Sequence, residues 1–449
     1  MNILMIAHDQ QALLEQGIEV LKLFAEVRDE EIIIVDNASS DGTREWLENQ
    51  KAYKYLICDE GLESFAVIIN TAMKEFEIED DILVLTPNYV ILPNSLREMQ
   101  RVLQSEVSIG AVSATMIKCG GEGAGKDFLS AVDYVQKKQE ICANQQMLGL
   151  PFGAILIKYR MYQELKGFDE NLVLPYNIMM DFLFRGILKG FQLYECGNAY
   201  FYETAISKDV YRVVETDTDR TILKRKWGMK YFNYKPNPML LKAIRQKRED
   251  SFNVLEVGCD CGANLLGIKN IYPNVELYGV ELNAHSAEIA GQVAKVLVGD
   301  IEKSENLFHG TKFDYVIFGD VLEHLNEPER MLGFCHQILK TNGKIIASIP
   351  NLMHYTVMRE LLNGNFTYTD TGLLDRTHIH FFTYKEIVKM FEVQGYAIEK
   401  MDEVIQVDAG GAAEEYISKL MQISEGAERH MFETFQYIVT AESVTAGIK

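Results

Sequence analysis

An apolar run over 253–257 leads directly into a glycine-containing turn and then into a helical pattern, in the segment NVLEVGCDCGANLLG. Gly258 and Gly262 lack side chains, so the main chain and the helix N-terminus can approach a small polar molecule closely. We expect the backbone amides of this turn to face such a ligand. A strand, a turn and a helix in this order predict an α/β fold with a binding site at the turn.

A second strand follows in the segment VELYGVELN and ends at Glu281, roughly 25 residues after Glu256. An acid at the end of the second strand of a βαβ unit accepts hydrogen bonds from the hydroxyls of a ribose. The spacing therefore predicts a nucleotide-binding unit.

Three further strands end in polar residues. The segment VGDI places Asp300 after the third strand, FDYVIFGDVLEHL places Asp320, Glu323 and His324 at the end of the fourth, and GKIIASIPN ends the fifth. Ligands of doubly wound sheets bind beyond the carboxyl ends of the strands. We therefore expect these side chains to share one crevice.

The order and content of these segments resemble a class I S-adenosylmethionine-dependent methyltransferase over about residues 250–449. The resemblance implies S-adenosylmethionine as cofactor, and it departs from the family at Asp260, where a glycine is usual. It assigns the methionine end of the cofactor to Glu256, Gly258, Cys259, Gly262 and Asp320, the ribose to Glu281 with Leu282 beside it, and the adenine to Asp300 and Ile301.

The end of the chain is typical of the same fold. YAIEKMDEVI predicts a strand, AAEEYISKLMQIS a helix, and ETFQYIVTAESV an antiparallel last strand of a seven-stranded sheet. Prolines in the KPNP segment at 235–238 interrupt any continuous helix. We therefore predict a linker and helix at 234–250 and a methyltransferase domain at 251–449.

The first half, from NILMIAHD through EIIIVDNASSDGTREWL to the KRKWGM segment, predicts another α/β unit, in which residues 39–43 cap a helix. It resembles family 2 glycosyltransferases of GT-A fold over residues 1–233. The resemblance implies that Asp36 and Asp41 hold the nucleotide of a sugar donor.

Two substitutions in this half favour a degenerate glycosyltransferase site. LTPNYV places neutral Asn88 where the family carries its metal-binding acid, and a divalent cation prefers carboxylate oxygens. Ile178 and Met179 stand where the family has its catalytic Glu–Asp pair, and a methionine cannot deprotonate an acceptor. Asp181 follows two residues later and becomes the base if the alignment is shifted by two.

Two histidines and an arginine are our candidates for catalysis. His324 is a general base or an acceptor-orienting residue, unless it only caps the following helix. The loop GLLDRTHIHFF resembles the Asp-Arg-Thr-His loop of methyltransferases from bacterial glycan gene clusters, in which Arg376 and His378 bind a sugar hydroxyl or phosphate or assist the base. An Arg–Asp pair that fixes the loop is the alternative.

The same loop offers a pair of metal ligands and is followed by a helix. His378 and His380 could bind a metal, but we see no third ligand beside them and predict no metal site.

Thr383 and Glu386 predict a capping box for a helix with Ile387, Met390 and Phe391 on its inner face.

Composition narrows the partners. The 449 residues suggest two or three domains, and a net charge of −21 without a basic, aromatic-rich run opposes nucleic-acid binding. No apolar run of about 20 residues predicts a membrane span, and no basic-then-apolar leader is present. Seven scattered cysteines, including the CxC at 259–261, indicate neither a disulfide framework nor a zinc site and favour the reducing cytoplasm.

Three functions follow. The first is a cytoplasmic methyltransferase that O-methylates a sugar of a bacterial surface glycan or glycoprotein, with the front half supplying recognition or assembly. The glycan could be nucleotide-, lipid- or protein-linked. The alternatives are a bifunctional glycosyltransferase and methyltransferase, and a non-catalytic nucleotide-sugar-binding scaffold. The sequence does not predict an oligomeric state.

Overall fold

The computed structural model describes residues 1–58, 64–120, 125–138, 142–204, 217–229, 232–304, 307–407 and 411–444. The chain divides into two compact units, Met1–Tyr234 and Lys235–Lys449. Each unit has its own sheet and its own buried clusters. The α/β fold class is confirmed.

The first unit is built on a nine-stranded mixed sheet in the order β3-β2-β1-β4-β8-β6-β9-β5, with β7 paired to β9. Strands β1 and β2 are apolar and buried almost throughout, as expected of strands covered on both faces. The strands are β1 Asn2–Ala7, β2 Ile32–Asn37, β3 Lys54–Cys58, β4 Ile82–Leu85, β5 Tyr89–Ile91, β6 Ile109–Lys118, β7 Gln145–Met147, β8 Ala154–Ile157 and β9 Gln192–Glu203.

Helices pack around this sheet. Leu96, Met99 and Leu103 of α4 contribute to a buried cluster together with Leu14 and Leu21 of α1. The helices are α1 Gln11–Ala25, α2 Thr43–Glu48, α3 Phe65–Glu75, α4 Ser95–Ser105, α5 Phe128–Lys137, α6 Tyr159–Leu165, α7 Pro175–Leu188 and α8 Asp217–Trp227.

The second unit has a seven-stranded sheet in the order β12-β11-β10-β13-β14-β16-β15. The first five of these strands are parallel, and β16 lies antiparallel between β14 and β15. This confirms the predicted seven-stranded sheet with an antiparallel last strand. The strands are β10 Asn253–Val257, β11 Glu276–Glu281, β12 Lys295–Val298, β13 Phe313–Gly319, β14 Leu339–Pro350, β15 Tyr396–Ile405 and β16 Thr434–Ser443.

The helices of the second unit are α9 Pro238–Ala243, α10 Ala263–Ile271, α11 Ala284–Ala290, α12 Pro328–Ile338, α13 Tyr355–Leu362, α14 Tyr384–Val393, α15 Gly411–Ile423 and α16 His430–Glu433. Ile387, Met390 and Phe391 of α14 are buried, as its periodicity predicts. The predicted capping box is wrong, because the Thr383 side chain makes no capping hydrogen bond.

Two further sequence expectations concern the whole chain. Among the helices that the structure describes, none is both long and apolar enough to cross a bilayer. All seven cysteines are free thiols, four of them buried.

Candidate functional site

The turn between β10 and α10 is held in left-handed backbone conformations. The φ angles are 66° at Gly258, 46° at Asp260 and 85° at Gly262. Asp260, the departure from the family pattern, therefore adopts a conformation that suits glycine, although aspartate tolerates it better than most residues.

From the sequence we expected the amides of this turn to be open to a ligand. Four of them instead donate hydrogen bonds within the protein. The N–H groups of Gly258 and Cys259 donate to the carbonyl of Val280 at 2.8 and 3.2 Å, and that of Gly262 donates to Cys259. The N–H of Asp260 donates to Glu281 Oε2 at 2.8 Å. Strand β11 thus accepts from three of these amides and the turn itself from the fourth, so the expectation is wrong for these four amides.

The glycines serve close packing instead. A Cβ on Gly258 would lie 2.7 Å from Val321 Cγ2, and one on Gly262 would lie 3.1 Å from Ala290. Gly279 in turn makes room for the buried Cys259 side chain. The turn is thereby pressed against Val321, the residue after Asp320, which brings the ends of β10 and β13 together.

Glu256 lies buried beneath the turn. Asn264 Nδ2 donates to its Oε1 at 2.6 Å, whereas Oε2 has no hydrogen-bond partner among the described residues. Burial raises the pKa of Glu256 to about 8, and the nearby carboxylates of Asp260 and Glu281 add to this. A buried carboxyl with one free oxygen fits a cationic ligand, such as the methionine end of S-adenosylmethionine.

Glu281 ends β11 with both oxygens oriented by the main chain. Oε1 accepts from Asn283 N at 2.7 Å, and Oε2 accepts from Asp260 N. Burial raises the pKa of Glu281. Each oxygen keeps a second lone pair, which could accept a ribose hydroxyl. Leu282 beside it is 74% exposed and offers an apolar surface.

Asp300 and Ile301 begin a 3₁₀ turn. Asp300 accepts from Glu302 N at 3.0 Å and pairs with Lys303 Nζ at 2.8 Å, and this pairing lowers the pKa of Asp300. The Ile301 side chain packs into the buried cluster of the second unit that contains Leu255 and Phe318. Its backbone is therefore the part that can contact an adenine. A cavity of about 250 Å³ behind this turn includes Ile301 but no other predicted cofactor residue.

Asp320 follows β13 with a φ of 55°. Its N–H donates to Ser348 Oγ at 2.9 Å, and Gln436 Nε2 donates to its Oδ1. Its surface opens to solvent, but protein atoms surround the carboxyl closely, and this burial raises the pKa of Asp320 to about 6. Strained residues of this kind cluster at functional sites.

The 3₁₀ turn Leu322–His324 brings the two candidate histidines together. The rings of His324 and His378 meet edge to face, with centroids 4.8 Å apart. His378 Nε2 lies 4.0 Å from Oε1 of the buried Glu323. Burial and the nearby His324 lower the pKa of His378, and burial raises the pKa of Glu323 to about 8.

Main-chain hydrogen bonds fix this group. The Glu323 carbonyl accepts from the N–H groups of Ile379 and His380, both at 3.0 Å. The Nδ1 atoms of His324 and His378 lie 3.0 and 3.2 Å from the carbonyls of Thr377 and Leu373. The loop that carries the Asp-Arg-Thr-His sequence is therefore docked on the turn after β13.

Arg376 does not join the two histidines. It pairs with Asp370 at 2.9 Å, and both side chains are more than half exposed. Asp375 instead accepts from the N–H and hydroxyl of Thr377. The contact that Arg376 makes is the loop-fixing Arg–Asp pair that we considered as its alternative role.

Three aromatic rings lie beside the histidines. Phe366, Tyr368 and Phe381 contact one another with centroid separations of 5.4 to 6.3 Å. Phe366 and Tyr368 are 41% and 46% exposed, and Phe381 lies 6.2 Å from the His378 ring. We call Phe366, Tyr368 and Phe381 the aromatic surface. The sequence analysis did not identify it.

In the first unit, Asp36 lies near the end of β2 and Asp41 lies just before α2. Asp36 is fully buried, and its Oδ1 accepts from Ser39 N while Oδ2 has no hydrogen-bond partner among the described residues. Asp41 accepts from the N–H groups of Gln11 and Thr43 and so caps both α1 and α2.

The other two predicted residues of this unit have structural partners. Thr86 Oγ1 donates to Asn88 Oδ1 at 2.6 Å. Asp181 is fully buried in α7 and contacts Arg185, Lys226 and the Trp227 ring nitrogen at 2.6 to 3.0 Å. The shifted alignment that makes Asp181 a base places that base out of reach of a substrate.

Comparisons with known proteins agree with the architecture of the second unit. Residues 229–401 match the family described as "Methyltransferase domain". Most of the second unit therefore matches a methyltransferase domain. The ubiquinone biosynthesis O-methyltransferase of Actinobacillus pleuropneumoniae serotype 5b (strain L20) is 26% identical over 127 residues, which are 26% of this chain and 53% of that protein. The protein of the same name from Pectobacterium carotovorum subsp. carotovorum (strain PC1) is 26% identical over 142 residues, or 29% of this chain and 58% of that one. The chain thus spans little more than half the length of these curated relatives.

Solved structures also resemble the chain. A S-adenosylmethionine-dependent methyltransferase from Archaeoglobus fulgidus is 20% identical with a TM-score of 0.32, covering 50% of this chain and 99% of that one. The magnesium protoporphyrin IX methyltransferase of Synechocystis PCC 6803 is 16% identical with a TM-score of 0.30, covering 43% and 74%. GalNAc-T7 with UDP, GalNAc and Mn²⁺ is 10% identical with a TM-score of 0.36, covering 45% and 43%. These TM-scores are too low to support an argument about function.

Proposed function

We propose that this protein transfers a methyl group from S-adenosylmethionine to a hydroxyl of a sugar in a bacterial surface glycan or glycoprotein. The observation that carries the proposal is the His324–His378 pair, docked on the turn after β13 beside Asp320. The turn after β10 lies against Val321, three residues before His324. This proximity supports a site in which the histidines act beside the proposed cofactor acids.

The cofactor contacts follow from the acids at the strand ends. Glu256 would face the cationic methionine end, because its free Oε2 is buried there. Glu281 would accept the ribose hydroxyls, with Leu282 against the adenine. Asp300 would accept from the adenine amino group through the second lone pair of one of its oxygens, beside its contacts with Glu302 N and Lys303.

The histidines supply the proton acceptor. When bound, the cofactor supplies a methyl group already activated on a sulfonium, so the protein must align the acceptor oxygen and take its proton. The lowered pKa of His378 keeps its imidazole neutral near neutral pH, as a base must be. With Nδ1 against a carbonyl, the Nε2 lone pair of either ring is free to accept the hydroxyl proton.

Sugar as the acceptor is supported by the aromatic surface. Phe381 lies beside the His378 ring, and the exposed rings of Phe366 and Tyr368 next to Phe381 offer an apolar face against which the C–H face of a pyranose can stack. The relatives named as ubiquinone biosynthesis O-methyltransferases support oxygen as the receiving atom. A phenolic ring would stack on the same surface and is the competing acceptor.

The first unit would recognise or assemble the glycan. Asp36 keeps a buried oxygen without a partner, which supports retained binding of a nucleotide sugar. The absence of a metal-binding acid at Asn88 and the burial of Asp181 argue against sugar transfer by this unit. The bifunctional enzyme is therefore the second candidate.

Calorimetry with S-adenosylmethionine tests the cofactor site. The full chain should bind it, Glu281→Ala should abolish detectable binding, and Glu288→Ala on the exposed face of α11 should bind like the wild type. Wild-type protein that does not bind S-adenosylmethionine would refute the enzymatic proposal and leave the binding scaffold.

Mass spectrometry tests the acceptor. Surface glycans from cells with and without the gene should differ by the mass of one CH₂ group on a sugar. A mass difference confined to a phenolic metabolite would show that the acceptor class is wrong.

A panel of nucleotide sugars with Mn²⁺ or Mg²⁺ tests the first unit. We expect neither hydrolysis nor transfer. Turnover that persists in Glu281→Ala would establish the bifunctional enzyme, because that variant disables the methyltransferase site alone.

A further inference from the structure

Glu323 is a buried carboxylate without a hydrogen-bond partner for either oxygen. Its side chain is 1% exposed, and neither Oε1 nor Oε2 meets a donor among the described residues. Leaving a carboxylate in this state costs free energy unless a proton or a cation joins it. No lysine or arginine is paired with it in the described part of the chain. A bound metal cation would neutralise this carboxylate and give its oxygens a partner.

Two imidazoles face the same space. One ligand atom each from Glu323, His324 and His378 lie within 4.8 Å of one another. In a tetrahedral zinc site with bonds of about 2.0–2.1 Å the ligand atoms are roughly 3.3 Å apart. Side-chain movements of about 1 Å would therefore close the group around an ion.

The hydrogen bonds of both rings fit metal binding. Nδ1 of His324 lies 3.0 Å from the Thr377 carbonyl, and Nδ1 of His378 lies 3.2 Å from the Leu373 carbonyl. A carbonyl accepts only from a protonated nitrogen, so each ring carries its proton on Nδ1 and presents the Nε2 lone pair. Histidines that bind metals are oriented in this way by protein carbonyls.

We propose that Glu323, His324 and His378 bind one divalent transition-metal ion of the zinc type. Two imidazole nitrogens and one carboxylate oxygen suit zinc and its neighbours, whereas calcium and magnesium prefer oxygen ligands alone. From the sequence we paired His378 with His380, but His380 Nε2 lies against the Asn326 carbonyl instead. The other two proposed ligands lie in the turn after β13.

The site would leave a coordination position for the acceptor. Three protein ligands and an exposed His324 leave the ion open to solvent on one side. With the ion bound, the Nε2 lone pairs serve as ligands and not as proton acceptors. A hydroxyl bound at the open position would lose its proton to solvent more readily, which would assist methyl transfer to oxygen. This catalytic role rests on the proposed function, whereas metal binding itself does not.

Equilibrium dialysis of the full chain against Zn²⁺, with elemental analysis, tests the site. We expect one ion per chain, and affinity reduced at least about 100-fold in Glu323→Gln and His378→Ala. The matched control His380→Ala, which alters the same loop, should bind like the wild type. Unchanged binding in the two ligand variants, or no binding by the wild type, would overturn the proposal.

Co²⁺ substitution of the wild type gives a readout that does not depend on the variants folding. We expect the visible absorption of a nitrogen- and oxygen-coordinated ion, without the sulfur-to-metal charge transfer that the thiols of Cys259 or Cys261 would produce. A thiolate signature would assign the ion elsewhere and overturn the proposal.

S-Adenosylmethionine binding by the same preparations separates the two proposals. Binding of the cofactor without Zn²⁺ binding refutes the metal site alone. Zn²⁺ binding lost in the two ligand variants supports the metal site even where the cofactor does not bind.

Discussion

The fold favours the neutral, protonated form of two carboxyl groups, those of Glu256 and Asp320. Burial raises their pKa values to about 8 and about 6. An acid with a raised pKa favours the folded state below its ordinary pKa, and this contribution is lost as the pH rises through the raised value. Near neutral pH the protein without its cofactor therefore bears a cost that a bound cation would offset.

The first prediction concerns Glu256. S-Adenosylmethionine should bind more tightly as the pH rises from about 6 to about 8, because Glu256 then ionises opposite the cationic methionine end. In Glu256→Gln the affinity should be weaker and this dependence should disappear. Calorimetry across this pH range measures both.

Glu288→Gln is the control for this series, since Glu288 lies on the exposed face of α11. It should keep the wild-type dependence. A pH-independent affinity in the wild type would show that Glu256 is already ionised or does not face the cofactor.

Spacing and residue type predicted the acids of the second unit, because each lies near or just after the end of a strand that the apolar pattern identifies. Their partners Asn264, Ser348 and Gln436 were not predicted. Ser348 and Gln436 reach Asp320 from β14 and β16, so these contacts depend on strand order and not on local sequence. The wrong expectation about the turn amides has the same cause.

At the scale of elements, the turn after β10 depends on glycine for two reasons that can be separated. Gly258 has a positive φ and no room for a Cβ beside Val321, whereas Gly310 has a φ of 84° and nothing within 4 Å of its Cβ position. The two positions share backbone strain and differ in packing.

The second prediction follows from this pair. Gly310→Ala should lower the unfolding free energy by about 1 kcal/mol through strain alone. Gly258→Ala should cost more than about 2 kcal/mol and weaken cofactor binding, because Val321 must move. Denaturant unfolding followed by calorimetry measures both, and equal losses would show that the contact with Val321 is easily relieved.

Helices α7 and α8 are joined through Asp181. Lys226 and Trp227 of α8 both contact its Oδ1, and Arg185 contacts Oδ2. A buried carboxylate with these partners is part of the architecture of the first unit.

The third prediction is that Asp181→Ala lowers the unfolding free energy by about 3–5 kcal/mol, because it leaves Lys226 and Arg185 without their buried partner. Asp133→Ala, which removes an exposed pair with Lys137, should change little. Thermal and denaturant unfolding compare them. If the two variants were equally stable, Asp181 would be available for another role.

The apolar patterns predicted most strands and the buried face of α14. They did not predict that the loop before α14 returns to the Glu323 carbonyl, because this contact joins residues more than 50 positions apart. The clustering of Glu323, His324 and His378 depends on that docking. The sequence therefore identified both histidines but not that their rings meet beside Glu323.

At the scale of the whole molecule, each unit encloses its own buried clusters. The cluster around Leu255 and Phe318 lies entirely in the second unit, and the cluster around Ile3 and Met99 lies entirely in the first. Self-contained cores are the mark of domains that can fold alone.

The fourth prediction is that residues 235–449 expressed alone bind S-adenosylmethionine within about twofold of the full chain, since every proposed cofactor contact lies in that unit. Calorimetry of the two proteins tests this. A fragment that folds by circular dichroism yet does not bind would show that the first unit contributes to the cofactor site.

The position of β16 has a consequence for synthesis. Strands β14 and β15 each pair with β16 and not with each other, yet both leave the ribosome before it does. Until residues 434–443 emerge, the nascent chain carries two exposed strand edges that can pair wrongly or recruit another chain. The sheet of the second unit can therefore be completed only after residues 434–443 have left the ribosome, which makes the interval before that the one in which a chaperone would matter most.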